Sequence, residues 1–354
     1  MRNKKAAFLI LIGLAGSCST SAFLSSPFSH ETSKSVQRVL HKSRTQAKSV
    51  LDAKADDGVE ELKPTQEWDV GRYQSQHSFV WKYGSSLIDL VEPKRNINKT
   101  TNMDQTEYAR ILDVGCGSGE LTQALADKFP DCVVHGTDYD TNMVKKASTQ
   151  FPNLHFFQDD ARTLLKKADG DYSGSCYQEY DVIFSNAALH WVPPHDAKQA
   201  VESIANALRP GGQLVVEFGG KGNVDSIVCS TNRALQEICG PGALVEPFWY
   251  FPSIGEFASL LEEYDIEVQS AVLFDRPTPL AEGEKGLSNW MKMFGSKFLD
   301  SLSDEMDLKE RVLRHVENQL RPLDHLWNGE QWMADYRRIR IVGIKKCASG
   351  IMDS

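Results

Sequence analysis

Along the chain, the spacing of apolar and polar residues changes period several times. Ile111-Leu112-Asp113-Val114 is a short apolar run that ends in glycines, as a buried strand would. Leu121 to Phe129 has helical spacing, and Val133-Val134-His135-Gly136-Thr137 is a second strand closed by Asp138. The pattern predicts a helix over Asn142 to Gln150, a strand over Leu154 to Phe157 and a strand over Tyr180 to Ser185. A helix over Ala197 to Leu208 follows, stopped by Pro210-Gly211-Gly212, and then a strand over Gln213 to Phe218. Strands alternating with helices predict an α/β domain with a doubly wound, mostly parallel sheet and right-handed crossovers.

The C-terminal part follows a different pattern. Ile254 to Leu261 is predicted helical and Val268 to Phe274 a strand. Leu287 to Leu320 is a long, mainly helical insertion carrying Trp290, Met291, Met293, Phe294 and Phe298. Such residues at helical spacing are read as core. Tyr336 to Lys345 is a closing strand that alternates Ile339, Ile341 and Gly343 with Arg338, Arg340 and Val342. The folded domain is expected over residues 65–347, with the helical insertion over about 284–328.

Composition narrows the partners. The chain has 354 residues, 41% hydrophobic and 25% charged, with a formal net charge of -9. An acidic surface without a basic cluster disfavours nucleic acid and anionic membranes. The seven cysteines show no CxxC or Cys/His spacing, so they read as reduced thiols, and no metal is expected.

The N-terminus reads as a removable address. Arg2, Lys4 and Lys5 precede the apolar stretch Ala6 to Ala15 and small residues up to Ala22, so residues 1–22 form a secretory-type signal. Residues 23–64 are transit-like and then linker-like, with five basic side chains against Glu31 between Phe23 and Leu51. The combination resembles the bipartite plastid presequence of algae with secondary plastids, so an organelle, a plastid, is the expected location, with the secretory pathway as the alternative. No stable membrane insertion is expected once the presequence is removed.

The chemistry centres on Asp113-Val114-Gly115-Cys116-Gly117-Ser118-Gly119. Its glycines let the backbone turn sharply and let a ligand come close to it. The spacing is GxGxG rather than the GxGxxG of many dinucleotide sites, which need room for a pyrophosphate. S-adenosylmethionine (SAM) has no pyrophosphate, and its positive groups favour a nearby acid such as Asp113. Asp138, at the end of the second strand, can accept both ribose hydroxyls. Asp160, or its neighbour Asp159, can accept from an adenine amino group. All three acids sit at the carboxyl ends of successive strands, where open α/β sheets bind ligands.

The motif order LDVGCGSGELT, GTDYDTNMVKKA, FFQDDAR, YDVIFSNAALHWV and LRPGGQLVVEFGGKGN resembles class I SAM-dependent methyltransferases. It looks most like the trans-aconitate methyltransferase branch, with support from Trp68-Asp69, Arg72-Tyr73, Phe251-Pro252-Ser253, Arg276-Pro277-Thr278 and Asp335-Tyr336-Arg337-Arg338. The resemblance implies a Rossmann-like, seven-stranded sheet whose last strand is antiparallel, with a helical cap. It also implies that Gly115, Cys116, Gly117 and Gly119 wrap the methionine part and that Asp138 holds the ribose. Tyr139 and Met143 would pack at the adenine, Asp160 and Ala161 would meet its edge, and Asn186 and Ala187 would run beneath the cofactor.

His190-Trp191, just past the fourth strand, are the catalytic candidates: Trp191 as a pocket wall, His190 as a base or a hydrogen-bond donor. The segment Ser185-Asn186-Ala187-Ala188-Leu189 lacks the Asn-Pro-Pro-Tyr turn of nucleobase methyltransferases. The expected partner is therefore a small-molecule acceptor. The specific expectation is a carboxylate, with Arg72, Lys221 and Arg276 as candidate cations. A hydroxyl, amine or carbon acceptor, a non-catalytic SAM-binding module and a nicotinamide-dependent oxidoreductase are the alternatives.

Overall fold

The computed structural model describes residues 78–93, 108–164, 180–246, 248–300, 302 and 306–347. The signal and transit-like segments, Trp68-Asp69 and Arg72-Tyr73 lie outside the described residues. The first described elements are helix α1 (Ser78–Ile88) and strand β1 (Arg110–Val114). It alternates through α2 (Glu120–Lys128), β2 (Val133–Asp138), α3 (Thr141–Gln150), β3 (His155–Gln158) and β4 (Tyr180–Asn186). Next come α4 (Ala197–Ala207), β5 (Leu208–Gly219), α5 (Asp225–Cys239), α6 (Ile254–Glu263) and β6 (Ile266–Asp275). Helices α7 (Gly286–Met293), α8 (Ser296–Asp300) and α9 (Met306–Leu320) precede β7 (Arg337–Lys345).

These strands form one seven-stranded sheet in the order β3-β2-β1-β4-β5-β7-β6. The first five are parallel, and β7 runs antiparallel between β5 and β6. The strand order reverses next to β1, which leaves a crevice at the strands' carboxyl ends. Alternation along each strand sends side chains to two cores. Leu112, Ile183, Leu214, Val216 and Ile341 pack with Val201 and Ile204 of α4 and Phe257 of α6. Ile111, Val182, Phe184 and Val215 pack instead with Leu87 of α1 and Leu125 of α2. With both faces covered, the central strand β4 is buried at every position.

Two differences from the sequence reading bear on the site. The 15-residue helix α5 was not expected. Its apolar residues Ile227, Ala234 and Leu235 join Leu287, Trp290, Met291, Val312 and Val316 in a separate core. The insertion between β6 and β7 is thus a helical cap with its own apolar interior. Secondly, β5 starts at Leu208, passing through Pro210-Gly211-Gly212, because Leu208 pairs with Tyr180 before the register shifts.

A buried charge network ties the two ends of the domain together. Glu217 on β5 is 1% exposed and stands directly opposite Arg340 on β7. It accepts from Arg340 Nε at 2.7 Å and from both terminal nitrogens of Arg276. Arg340 in turn donates to Ser86 Oγ on α1 at 2.9 Å, and Arg276 lies over the Tyr83 ring at 4.9 Å. Removing the carboxylate alone strands two guanidinium groups. Glu217→Ala is therefore expected to cost about 3–5 kcal/mol in urea unfolding. A loss under about 1 kcal/mol, the range of an exposed pair, would show that the network does not hold the sheet to α1.

Candidate functional site

A cavity opens at the carboxyl ends of β1, β2 and β4. Its first wall is the turn between β1 and α2. Gly115 and Gly117 have φ of 74° and 55°, the left-handed region that side chains resist. A Cβ on Gly115 would stand 2.1 Å from the Ala188 Cβ. One on Gly117 would meet nothing within 4 Å, so its backbone faces open space. The turn is held by the Gly115 and Cys116 N–H groups, which donate to the Thr137 carbonyl at 2.8 and 2.9 Å.

Asp138 joins this turn to the next one. Its Oδ2 accepts from the Gly117 N–H at 2.9 Å and its Oδ1 from the Asp140 N–H at 2.9 Å. Asp140 caps α3, accepting from the Asn142 N–H at 2.7 Å. Burial pushes the Asp138 carboxyl up to about 6, against the backbone N–H groups of Asp140, Gly117 and Tyr139 that favour its charge. A ligand supplying hydroxyl donors or positive charge would favour the ionised form. Tyr139, Met143, Asp159, Asp160 and Ala161 line the cavity beside it. The Asp160 carboxylate is held by Arg162, whose Nε and Nη2 donate to Oδ2 at 3.0 and 2.6 Å, while Arg162 Nη1 donates to Asp196 Oδ2 at 2.8 Å.

The floor is the end of β4. Asn186 and Ala187 line it, and Ala187 has φ 58°, fixed by its N–H donating to the Glu217 carbonyl at 2.7 Å. The chain then makes a short 3-10 turn over Leu189–Trp191. His190 is buried, with Nδ1 facing the Gly219 N–H at 3.5 Å. Burial, then the positive charge of Arg338, keep this imidazole well below its usual titration range, so it is neutral. With Nδ1 turned to an N–H donor, the tautomer assigned by that contact carries its proton on Nε2.

Three expected cofactor residues lie behind the wall instead. Asp113 is 2% exposed and accepts from Thr122 Oγ1 at 2.7 Å. Burial raises its carboxyl to about 7, opposed by the Thr122 bond and aided by the Asp138 charge. Cys116 packs with Ala147 and Phe156, and its thiol is pushed up by burial, as suits a spacer rather than a nucleophile. Gly119, at φ 90°, caps α2 against Phe151 and Phe156. The side chain of Asp113 lies on the face covered by α2 and outside the cavity lining, so Asp113 reaches a ligand through its field.

The second half of the cavity was largely missed. Asn223, Val224, Trp249, Phe251, Trp290, Phe294, Tyr336 and Arg338 line it with His190 and Trp191. Trp191 stands 6.0 Å from Trp249 and 6.2 Å from Phe294, ring centre to ring centre. Trp290 donates its indole N–H to the Tyr336 hydroxyl at 2.6 Å. Val224 precedes α5 at φ 50°, a strained conformation for a β-branched residue. Of the three cations expected to face an anion, Arg276 is engaged by Glu217 and Lys221 is exposed, both outside the lining, while Arg72 lies outside the described residues. Arg338, read in the sequence as part of the closing strand and its motif, lines the cavity.

The chain's similarity to known proteins agrees with this geometry. A family described as "Methyltransferase domain" matches residues 112–214, which run from β1 into β5. An uncharacterized methyltransferase of Schizosaccharomyces pombe is 29% identical over 290 residues, 80% of this chain and all of that protein. The chain is a class I SAM-dependent methyltransferase. Trans-aconitate 2-methyltransferases are also similar. That of Deinococcus radiodurans is 41% identical over 111 residues, 31% of this chain and 38% of that protein. That of Methylobacterium nodulans is 26% identical over 203 residues, 56% of this chain and 72% of that protein. The stronger of these two matches spans well under half of the relative's length.

SAM is the cofactor of this methyltransferase, and the cavity fits it. The open space at Gly117 admits a ligand against the backbone, and Asp138, Asp140, Asp159 and Asp160 give that half of the cavity negative character. We assign the ribose hydroxyls to Asp138, the adenine to the slot of Tyr139, Met143, Asp160 and Ala161, and the methionine part to Gly115, Gly117 and the Asn186-Ala187 floor.

Asp138→Ala is expected to weaken SAM binding at least about tenfold by calorimetry, since charge-assisted bonds contribute about 1.5–3 kcal/mol each. An unchanged dissociation constant would remove the ribose assignment. Binding should also depend on pH. The free carboxyls of Asp138 and Asp113 hold protons below about 6 and 7, and the bound ligand favours the ionised forms. Affinity should therefore fall as pH drops from about 7.5 to 5, by up to about tenfold per pH unit for each proton released. A flat profile in that window would contradict it.

Proposed function

We propose that this methyltransferase transfers the SAM methyl group to a carboxylate of a small molecule, forming a methyl ester. The observation that carries the reading is Arg338, 8% exposed, in the acceptor half of the cavity beside a neutral His190. A buried guanidinium matches a carboxylate better than an amine or a neutral hydroxyl. The similarity to proteins named trans-aconitate 2-methyltransferase supports the same acceptor chemistry.

When bound, SAM supplies an electrophilic methyl group on a positive sulfur. That methyl group would pass to a carboxylate oxygen held by Arg338, a C–O bond replacing the C–S bond, whose electron pair would stay with sulfur. No proton moves, so no base is needed. The protein's task is alignment and exclusion of water. Arg338 holds the acid, Trp191 closes the wall, and His190 donates from Nε2 to the acceptor. A hydroxyl or amine acceptor would need a proton taken, and a neutral imidazole already protonated on Nε2 is poorly placed to take it.

Label transferred from methyl-labelled SAM should be released by mild alkali, as an ester's is. Alkali-stable label would point to an ether, amine or carbon acceptor. His190→Gln, which keeps a donor, should lower kcat by less than about tenfold, whereas loss of a general base costs about 10²–10⁴. A loss in that larger range would restore His190 as a base.

A further inference from the structure

We propose that Asn223 binds the acceptor and fixes which of its oxygens meets the methyl group, its side-chain N–H donating to the non-reacting carboxylate oxygen. The proposal rests on the carboxyl-methylation reading above and deepens it. It follows from the way one turn is built.

Asn223 lies in the turn between β5 and α5, is 4% exposed and lines the acceptor half of the cavity. The partners of its amide tell the two ends apart. Oδ1 accepts from the Arg337 N–H at 2.8 Å, so the oxygen is committed to the start of β7. The amino end is the one the side chain presents to the cavity. A Cβ on Gly219 would stand 3.0 Å from Asn223 Nδ2 and against the edge of the Phe251 ring. The Gly219 N–H faces His190 Nδ1 at 3.5 Å. Asn223 and His190 thus flank the end of β5, and each brings a neutral donor to the cavity. Arg338 follows directly on the residue that anchors the Asn223 oxygen.

The turn is held from several sides. The Gly220 N–H donates to the Arg337 carbonyl at 2.9 Å, the Lys221 N–H to Pro252 at 2.9 Å and the Val224 N–H to Asp335 at 3.0 Å. The Ser226 N–H donates to Asp335 Oδ2 at 2.9 Å. These bonds keep Val224 at φ 50°, which a β-branched side chain resists. Strain of this kind persists only where the surroundings over-determine it, and it clusters at ligand sites. Here it sets the position of the neighbouring Asn223.

A neutral donor suits the chemistry. The acid is negative before transfer and its ester is neutral, so its charge falls as the methyl group arrives. A purely ionic hold weakens along that path, whereas an amide N–H still has the ester carbonyl oxygen to donate to. Holding the non-reacting oxygen aims the other one at the methyl group. An alkylammonium group has no lone pair for this donor, so Asn223 selects against it.

Asn223→Asp separates this role from support of the turn. The introduced carboxylate still accepts from the Arg337 N–H, but it cannot donate and it repels an acid. The full chain, with saturating methyl-labelled SAM, is offered trans-aconitate, benzoate, decanoate, decanol and decylamine. On the best acid at about pH 7.5, the variant should lose at least about thirtyfold in kcat/KM, with SAM affinity held within about threefold as the sign of a folded protein. The loss should shrink as pH falls to about 5.5, because the protonated carboxyl regains an O–H donor. A kcat/KM within about threefold of the unaltered protein, or a loss that stays constant with pH, overturns the proposal and leaves carboxyl methylation standing. If the variant no longer binds SAM, a crystal structure of the unaltered protein with S-adenosylhomocysteine and the best acid decides. An acid oxygen within about 3.2 Å of Asn223 Nδ2 supports the proposal, and both oxygens turned elsewhere overturn it. Transfer to decanol or decylamine but to none of the acids, or no transfer while SAM binds, overturns the carboxylate reading and this proposal with it.

Discussion

The bonds from the Gly117 and Asp140 N–H groups to one buried carboxylate, Asp138, are the constraint on which the cofactor half depends. They tie the turn after β1 to the turn after β2 and fix the edge of the cavity at a single side chain. The carboxylate is half-buried at the cavity wall, and that burial raises it to about 6, so a ligand with hydroxyl donors or positive charge favours its ionised form. The site is preorganised at some expense to the empty protein, which is a common arrangement where function and stability conflict. Asp113, one strand away and still more deeply buried, adds a second carboxyl to the same field.

The acceptor half depends on different physics. It is assembled from segments far apart in sequence: the β4 exit, the stretch around Trp249, helix α7 and the approach to β7. Helices α5 and α7 to α9 make an apolar core of their own, and that core presses aromatic rings into the cavity from above. The Glu217 network works from below. Its backbone carbonyl holds Ala187 in a left-handed conformation, while its carboxylate draws Arg276 and Arg340 away from the ligand. A residue that looked available for substrate is thereby given to structure, and Arg338, two positions along the same strand from Arg340, faces the cavity.

Much of this was legible in the sequence, for local reasons. Periodicity located β1 to β4 and their helices to within a residue or two, because each is a short apolar run bounded by turn residues. Asp138 and Asp160 could be found from their places at strand ends. Asp113 faces Thr122 rather than the cavity because side chains along a strand alternate between the two faces of the sheet, which the motif alone does not reveal. Helix α5 went unnoticed because its polar residues mask a narrow apolar stripe. Trp249, Phe251 and Arg338 carried no local signal for the cavity. Their role arises only when distant segments meet, and spacing along the chain does not encode it.

The central claim is that one half of the cavity holds adenosine on Asp138 and the other half holds the acceptor against the aromatic wall. A crystal structure of the full chain with S-adenosylhomocysteine tests it most directly. The account predicts both ribose hydroxyls on the Asp138 carboxylate, the adenine beside Tyr139 and Met143, and the sulfur turned toward His190 and Trp191. Adenine lodged among Trp249, Trp290 and Phe294, or a ribose away from Asp138, would contradict it.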